Sequence, residues 1–221
     1  MARSFTEFQD LILLAESFSK VQIRGKRIGV VSGAGFEAVG MADSIQADEY
    51  SMTLGRFCDA THAAMSELIA AKHLDRLVTI SNPLDITPAA DDETHARMAE
   101  LMLKDDNIDA VVIGLDPLSP VTHTLAGSDD DSSREGFSMD AQDGILARLA
   151  KVKKDSTKPL VAVVDGGELF EPLRRALKER DIPTFAVCDR AISVLSLYME
   201  ARLSAETLKC SCPRIVTRAE C

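Results

Sequence analysis

Apolar residues follow two rhythms along this chain. Three short runs, Arg27–Ser32, Asp109–Leu115 and Pro159–Val164, are almost continuously apolar, while the stretches between them repeat apolar residues every three or four positions. A strand reads as an unbroken apolar run when both faces of its sheet are covered, and the three-to-four spacing is that of an amphipathic helix. Further strands are predicted at Glu49–Leu54, Leu77–Ile80 and Pro183–Val187, and helices at 36–47, 55–71, 92–103, 141–152, 169–179 and 190–204. A leading helix over 6–20 would place Phe8, Leu11, Ile12, Ala15 and Phe18 on one packed face. Alternating strands and helices predict an α/β fold with a doubly wound parallel sheet, in which ligands gather at the carboxyl ends of strands.

Three of those strand ends carry chemistry. The first strand runs into Ser32-Gly33-Ala34-Gly35-Phe36 and a helix start, a turn that leaves backbone N–H groups pointing beyond the strand. This sequence matches neither common glycine-rich phosphate fingerprint, so anion binding and a purely structural turn both remain open. The second is Ser81-Asn82-Pro83-Leu84-Asp85-Ile86-Thr87-Pro88, where Asn82, Asp85 and Thr87 either line a cleft or satisfy loop backbone. The third, Asp165-Gly166-Gly167-Glu168, reads as a tight turn into the next helix. His62, His73 and His95 lie on helical patterns, as surface or boundary histidines do. His123 alone follows a strand end, where a nucleophile or general acid–base is one reading. It lies in a polar, acidic stretch, Leu118–Asp140, expected to be a loop and either a lid or unstructured. The Asp129–Asp131 run there is read as a solvated acidic segment rather than a cation site.

Composition narrows the classes. With 221 residues, 46% of them hydrophobic, the chain is long enough for one sizeable core. A formal charge of −10 opposes nucleic acid and anionic membranes, so a phosphorylated ligand must be held locally. The amino terminus lacks the apolar core of a signal peptide and no apolar run approaches ~20 residues, which leads to an expectation of a soluble, cytoplasmic protein. Of five cysteines, Cys210, Cys212 and Cys221 fall in a polar tail without zinc spacing, and Cys58 and Cys188 read as near-core thiols; no metal site is expected. A flavin-binding reading is weakened by the absence of Trp and by Tyr50 and Tyr198 lying away from strand ends.

The order of motifs adds a resemblance. Gly25-Lys26-Arg27-Ile28-Gly29-Val30-Val31-Ser32-Gly33-Ala34-Gly35, the Asn82-Pro83-Leu84-Asp85 segment, Asn107–Ile113, Lys158–Gly167 and Arg180–Phe185 followed by Asp189-Arg190-Ala191 together resemble the second flavodoxin-like, CoA-ligase-type domain of the NDP-forming (succinyl-CoA synthetase-like) acyl-CoA synthetases. The resemblance implies a flavodoxin-like domain over 25–204, preceded by a helical lead-in (1–24) and followed by a tail (205–221). It also implies a role in interconverting acyl-CoA, phosphate and NDP with carboxylate, CoA and NTP. In that family a phosphohistidine is cradled by helix N-termini from two modules; the turn Ser32–Phe36 falls at one such start, with Asn82, Asp85, Thr87, Asp165, Gly166 and Gly167 near the cleft. The family's phosphohistidine belongs to another module, and Thr122-His123-Thr124 echoes its motif in a different place. CoA, ATP/ADP or GTP/GDP and Mg are therefore expected of a complete enzyme with CoA-binding and ATP-grasp partners, not of this chain alone. A non-catalytic assembly module and self-association both stay open.

Overall fold

The computed structural model describes residues 2–126 and 138–211. The helices α1 (Phe5–Ser17), α2 (Gly35–Asp43), α3 (Asp59–Ala71), α4 (Asp92–Lys104), α5 (Ile145–Asp155), α6 (Glu171–Lys178) and α7 (Cys188–Ser211) enclose a parallel sheet. Its strands are β1 (Arg27–Ser32), β4 (Thr53–Leu54), β5 (Leu84–Asp85), β6 (Ala110–Leu115), β7 (Leu160–Val164) and β8 (Thr184–Phe185), in the order β4-β1-β6-β7-β8 with β5 also on β1. This is the flavodoxin-like order, with its switch point between β1 and β6.

The continuous apolar runs follow from burial on both faces. Ile28, Val30, Ala110, Val112, Val161 and Val163 pack with α1, α2 and α7. Their neighbours Val31, Val111, Ile113, Leu160, Ala162 and Val164 turn to the other layer with α3 to α6. Burying one such side chain contributes about 1.5–3 kcal/mol. At the opposite end of the sheet, Asp109 takes the Arg27 amide at 2.9 Å and its guanidinium at 2.9 and 3.0 Å, pinning β1 to the start of β6.

Several expectations shift. Leu77–Ile80 forms no strand: Leu77 is exposed, and the sheet pairing falls instead on Leu84 and Asp85. The edge beside β1 is therefore a composite of β4 and β5, separated in sequence, and Asn82 bridges the gap between them. Its Oδ1 accepts from the Val30 amide at 3.0 Å, and its Nδ2 donates to Ile28 and Gly55 carbonyls at 2.8 Å each. The segment 49–54 divides between a small antiparallel hairpin, β2 (Gln46–Ala47) with β3 (Tyr50–Ser51), and β4. That hairpin also ends α2 at Asp43 instead of carrying it to 47. On α1 the buried stripe is Asp10, Leu14 and Phe18, because Asp10 accepts from the Arg190 guanidinium of α7 at 2.7 and 2.8 Å; Phe8 and Ile12 face out. Helix α7 continues past 204 to Ser211.

Candidate functional site

The carboxyl ends of β1, β6 and β7 open into a crevice of about 270 Å³, lined among others by Ala34, Phe36, Glu37, Asp116, Asp165 and Gly166. It sits at the switch point, where the strand order reverses and the connecting helices diverge to opposite faces. Helix α2 begins here on Ala34, which has no side chain to cap it. Glu37 and Ala38 donate to the Ala34 carbonyl at 3.1 Å each, and the Ala34 amide is taken by Ser32 Oγ at 3.0 Å. Among the described residues, the Gly35 and Phe36 amides form no hydrogen bond, as the first donors of a helix do when no side chain caps it. Ser32 itself is fully buried, its hydroxyl shared between the Ala34 amide and Glu37.

The side chain Ser32 meets is Glu37, in the first turn of α2. It is 3% exposed, and Ser32 Oγ donates to its Oε2 at 2.5 Å. A Cβ on residue 114 would stand 1.8 Å from the same oxygen, so only glycine there lets the carboxyl group lie over the paired ends of β1 and β6. Burial pushes the Glu37 carboxyl up to about 7, against the opposing Ser32 hydrogen bond and with the help of nearby Asp165 and Asp116.

His95 departs from the surface role its spacing suggests. It is fully buried in α4, with Nδ1 at 3.0 Å from the Asp91 carbonyl, a contact in which that nitrogen must carry the proton. Nε2 then holds a bare lone pair without a partner, 3.0 Å from where a Cβ on Gly33 would be. Burial lowers the pKa of this imidazole and keeps it neutral.

The remaining candidates divide between crevice and scaffold. Asp85 lies at the α2 start: its Oδ1 accepts from the Thr87 amide at 2.9 Å, while Oδ2 would be 2.6 Å from a Cβ on Gly35. Thr87 takes a left-handed φ of 64°, and its hydroxyl accepts from the Ala89 amide at 3.2 Å. Asn82 is wholly engaged with backbone, as described above. The Asp165-Gly166-Gly167 turn is braced from beneath by Arg174, which donates to the carbonyls of Val164 at 2.9 Å, Gly166 at 3.2 Å and Gly167 at 2.9 Å. That buried arginine carried no sequence signal.

His123 does not line the crevice. Its ring Nδ1 bonds Asp92 Oδ2 and its amide donates to both Asp92 oxygens at 3.1 Å, which ties the loop to the start of α4. Residues 118–126 are held rather than free, with Ser119 Oγ on the Pro88 carbonyl at 2.6 Å and Thr124 Oγ1 on that of Pro117 at 3.0 Å. The Asp129–Asp131 run and Cys212 and Cys221 lie outside the described residues. Cys58 and Cys188 are half-buried free thiols. No helix among the described residues is long and apolar enough to cross a membrane, and none of their His, Cys, Asp and Glu side chains form a group of three suited to a metal.

No protein-family model matches the chain. The alpha subunit of ADP-forming acetate–CoA ligase II from Pyrococcus furiosus is 26% identical over 176 residues, which cover 80% of this chain and 34% of that protein. The chain thus spans about a third of that relative's length. Its fold is also that of the dinucleotide-forming acetyl-coenzyme A synthetase 1 of Ca. Korarchaeum cryptofilum in its apo form, at a TM-score of 0.72 and 20% identity over 96% of this chain and 41% of that one. The same enzyme in complex with phosphate and ADP gives a TM-score of 0.72 at 20% identity, covering 97% of this chain and 41% of that one. A Pyrococcus horikoshii OT3 crystal structure matches at a TM-score of 0.69 and 21% identity, over 91% of this chain and 41% of that one. In sequence and in fold, the chain resembles one region of the NDP-forming acyl-CoA synthetases.

Proposed function

We propose that this chain is one module of an NDP-forming acyl-CoA ligase, with residues 25–204 as the ligase-type domain and α1 as a lead-in packed on it. The complete enzyme would convert acyl-CoA, phosphate and NDP into carboxylate, CoA and NTP. CoA, the nucleotide and Mg are assigned to the CoA-binding and ATP-grasp modules. The task of this chain is to hold a phosphoryl group, delivered as the phosphohistidine of another module, at the start of α2. The observation that carries this reading is the pair of unpartnered Gly35 and Phe36 amides at the switch point. Such a helix end contributes up to ~2 kcal/mol to a partly buried anion. The amides are fixed before the ligand arrives, so charge developing on the phosphoryl oxygens meets donors that need no reorganisation.

One observation favours a second reading, an assembly module without chemistry. Phe36 is 74% and Leu118 80% exposed, and both sit on the crevice rim, where an apolar partner surface would cover them. Phe36→Asp separates the two. It sets a carboxylate at the second helical position, where it competes with an incoming oxyanion, and it replaces a side chain that makes little core contact. In a ligase reconstituted with CoA-binding and ATP-grasp modules, NTP formation from acyl-CoA, phosphate and NDP should fall at least about tenfold while the melting temperature stays put. Undiminished turnover would refute the phosphoryl-holding role. Loss of co-purification with the partner modules would instead support assembly.

A further inference from the structure

The third residue of a helix ordinarily turns a glutamate to solvent. In α2 the Glu37 side chain is buried over the paired residues Ser32 of β1 and Gly114 of β6, in a space that exists because residue 114 is glycine. Glu37 thus lines the crevice together with Ala34 and Phe36 of the same helix start. The groups facing it offer no countercharge. From β1 comes the Ser32 hydroxyl, from the end of β6 Asp116, from the end of β7 Asp165, and from α7 the Cys188 thiol, whose own pKa is raised by burial and by Glu37. Asp85 approaches the same helix start from β5, and the neutral His95 of α4 lies under Gly33. Arg174 is engaged with the carbonyls of the neighbouring turn.

An ionised Glu37 therefore sets a negative charge in the field that an incoming oxyanion needs, and a neutral Glu37 leaves that field to the ligand. His95 Nε2, fully buried and without a partner beneath Gly33, presents a lone pair and so gives an oxyanion no donor. We propose that Glu37 is a positioning residue that couples oxyanion capture to proton uptake. The phosphate-class ligand is accepted at the Gly35 and Phe36 amides with Glu37 as the neutral acid, and one proton moves from solvent to the Glu37 carboxylate for each anion bound. This rests on the phosphoryl-holding reading above and adds its regulation by pH. By reciprocity, the bound anion must raise the Glu37 pKa, and affinity must weaken as pH rises past it.

Inorganic sulfate, a dianion across the whole range, tests this without titrating itself. Calorimetry on the full chain at pH 6 and 8.5, in buffers of different ionisation enthalpy, should give affinity at least about fivefold weaker at the higher pH, with net proton uptake there. Glu37→Gln should bind as wild type does at pH 6 and lose both the pH slope and the proton uptake. Carboxyl-carbon NMR of the wild-type chain guards against a variant that misfolds: the Glu37 midpoint near 7 should move upward in saturating sulfate. An unmoved midpoint, or a Gln variant that keeps the wild-type slope, overturns the role of Glu37 and leaves the anion site standing. Failure of the wild-type chain to bind either sulfate or phosphate at pH 6 overturns both.

Discussion

Ser32, Glu37 and Gly114 act as one unit: a hydroxyl, a carboxyl group and the missing side chain that makes room for it. The folded state holds the Glu37 proton far more tightly than an unfolded chain, so folding binds a proton between pH 4.5 and about 7. The contribution of Glu37 to stability is fully present below the unfolded value and is lost as pH rises through about 7. Glu37→Gln removes the buried ionisation. Chemical denaturation should find it more stable than wild type at pH 8.5 by up to ~3 kcal/mol, with the difference vanishing near pH 4.5. Equal pH dependence in the two proteins would mean that the carboxyl group titrates as if exposed. Gly114→Ala should cost at least ~2 kcal/mol, because the methyl and the carboxylate claim one space. In a Glu37→Ala background the same change should cost much less, a coupling that a double-mutant cycle reads directly.

Among the elements, the composite edge is the part where one side chain fills the gap left by two short ladders. Asn82→Ala leaves the Val30 amide and the Gly55 carbonyl unpaired and the Ile28 carbonyl with only the Gly55 amide, and a loss of about 2 kcal/mol or more is expected in urea unfolding. Retained stability would mean that β4 and β5 close on β1 without it. This edge also marks where sequence reading stopped. Strands β1, β6 and β7 were legible because each is five or six residues long and buried on both faces. Two-residue β5 is too short to carry any period, and the Leu77–Ile80 run, with Val78 buried and Leu77 exposed, resembles a strand but meets no ladder. The Ser32–Phe36 turn was visible because glycine spacing at a strand end is a local signal. Glu37 and His95 were not, since what buries them lies far along the chain, at Gly114 and under the Gly33 turn. Arg174 escaped notice for the same reason, its partners being backbone carbonyls that have no sequence signature.

At the scale of the molecule, the chain offers a crevice rather than a complete reaction centre. It spans about a third of the P. furiosus ligase subunit it resembles, and the proposed chemistry needs a nucleotide and CoA held elsewhere. Coupled assays of NTP formation from acyl-CoA, phosphate and NDP should find no turnover by the chain alone; turnover by the unaided chain would contradict its role as a module. The two outer margins of the main sheet carry a further consequence. One ends in the two-residue strand β8 and the other is pieced from β4 and β5, also two residues each, with the Asn82 amide filling the join. Neither margin presents a long row of free peptide groups on which a stray strand could template. When this protein associates with copies or partners, intermolecular β-pairing should have little purchase, and side-chain surfaces rather than fibril-like stacking should govern the contact.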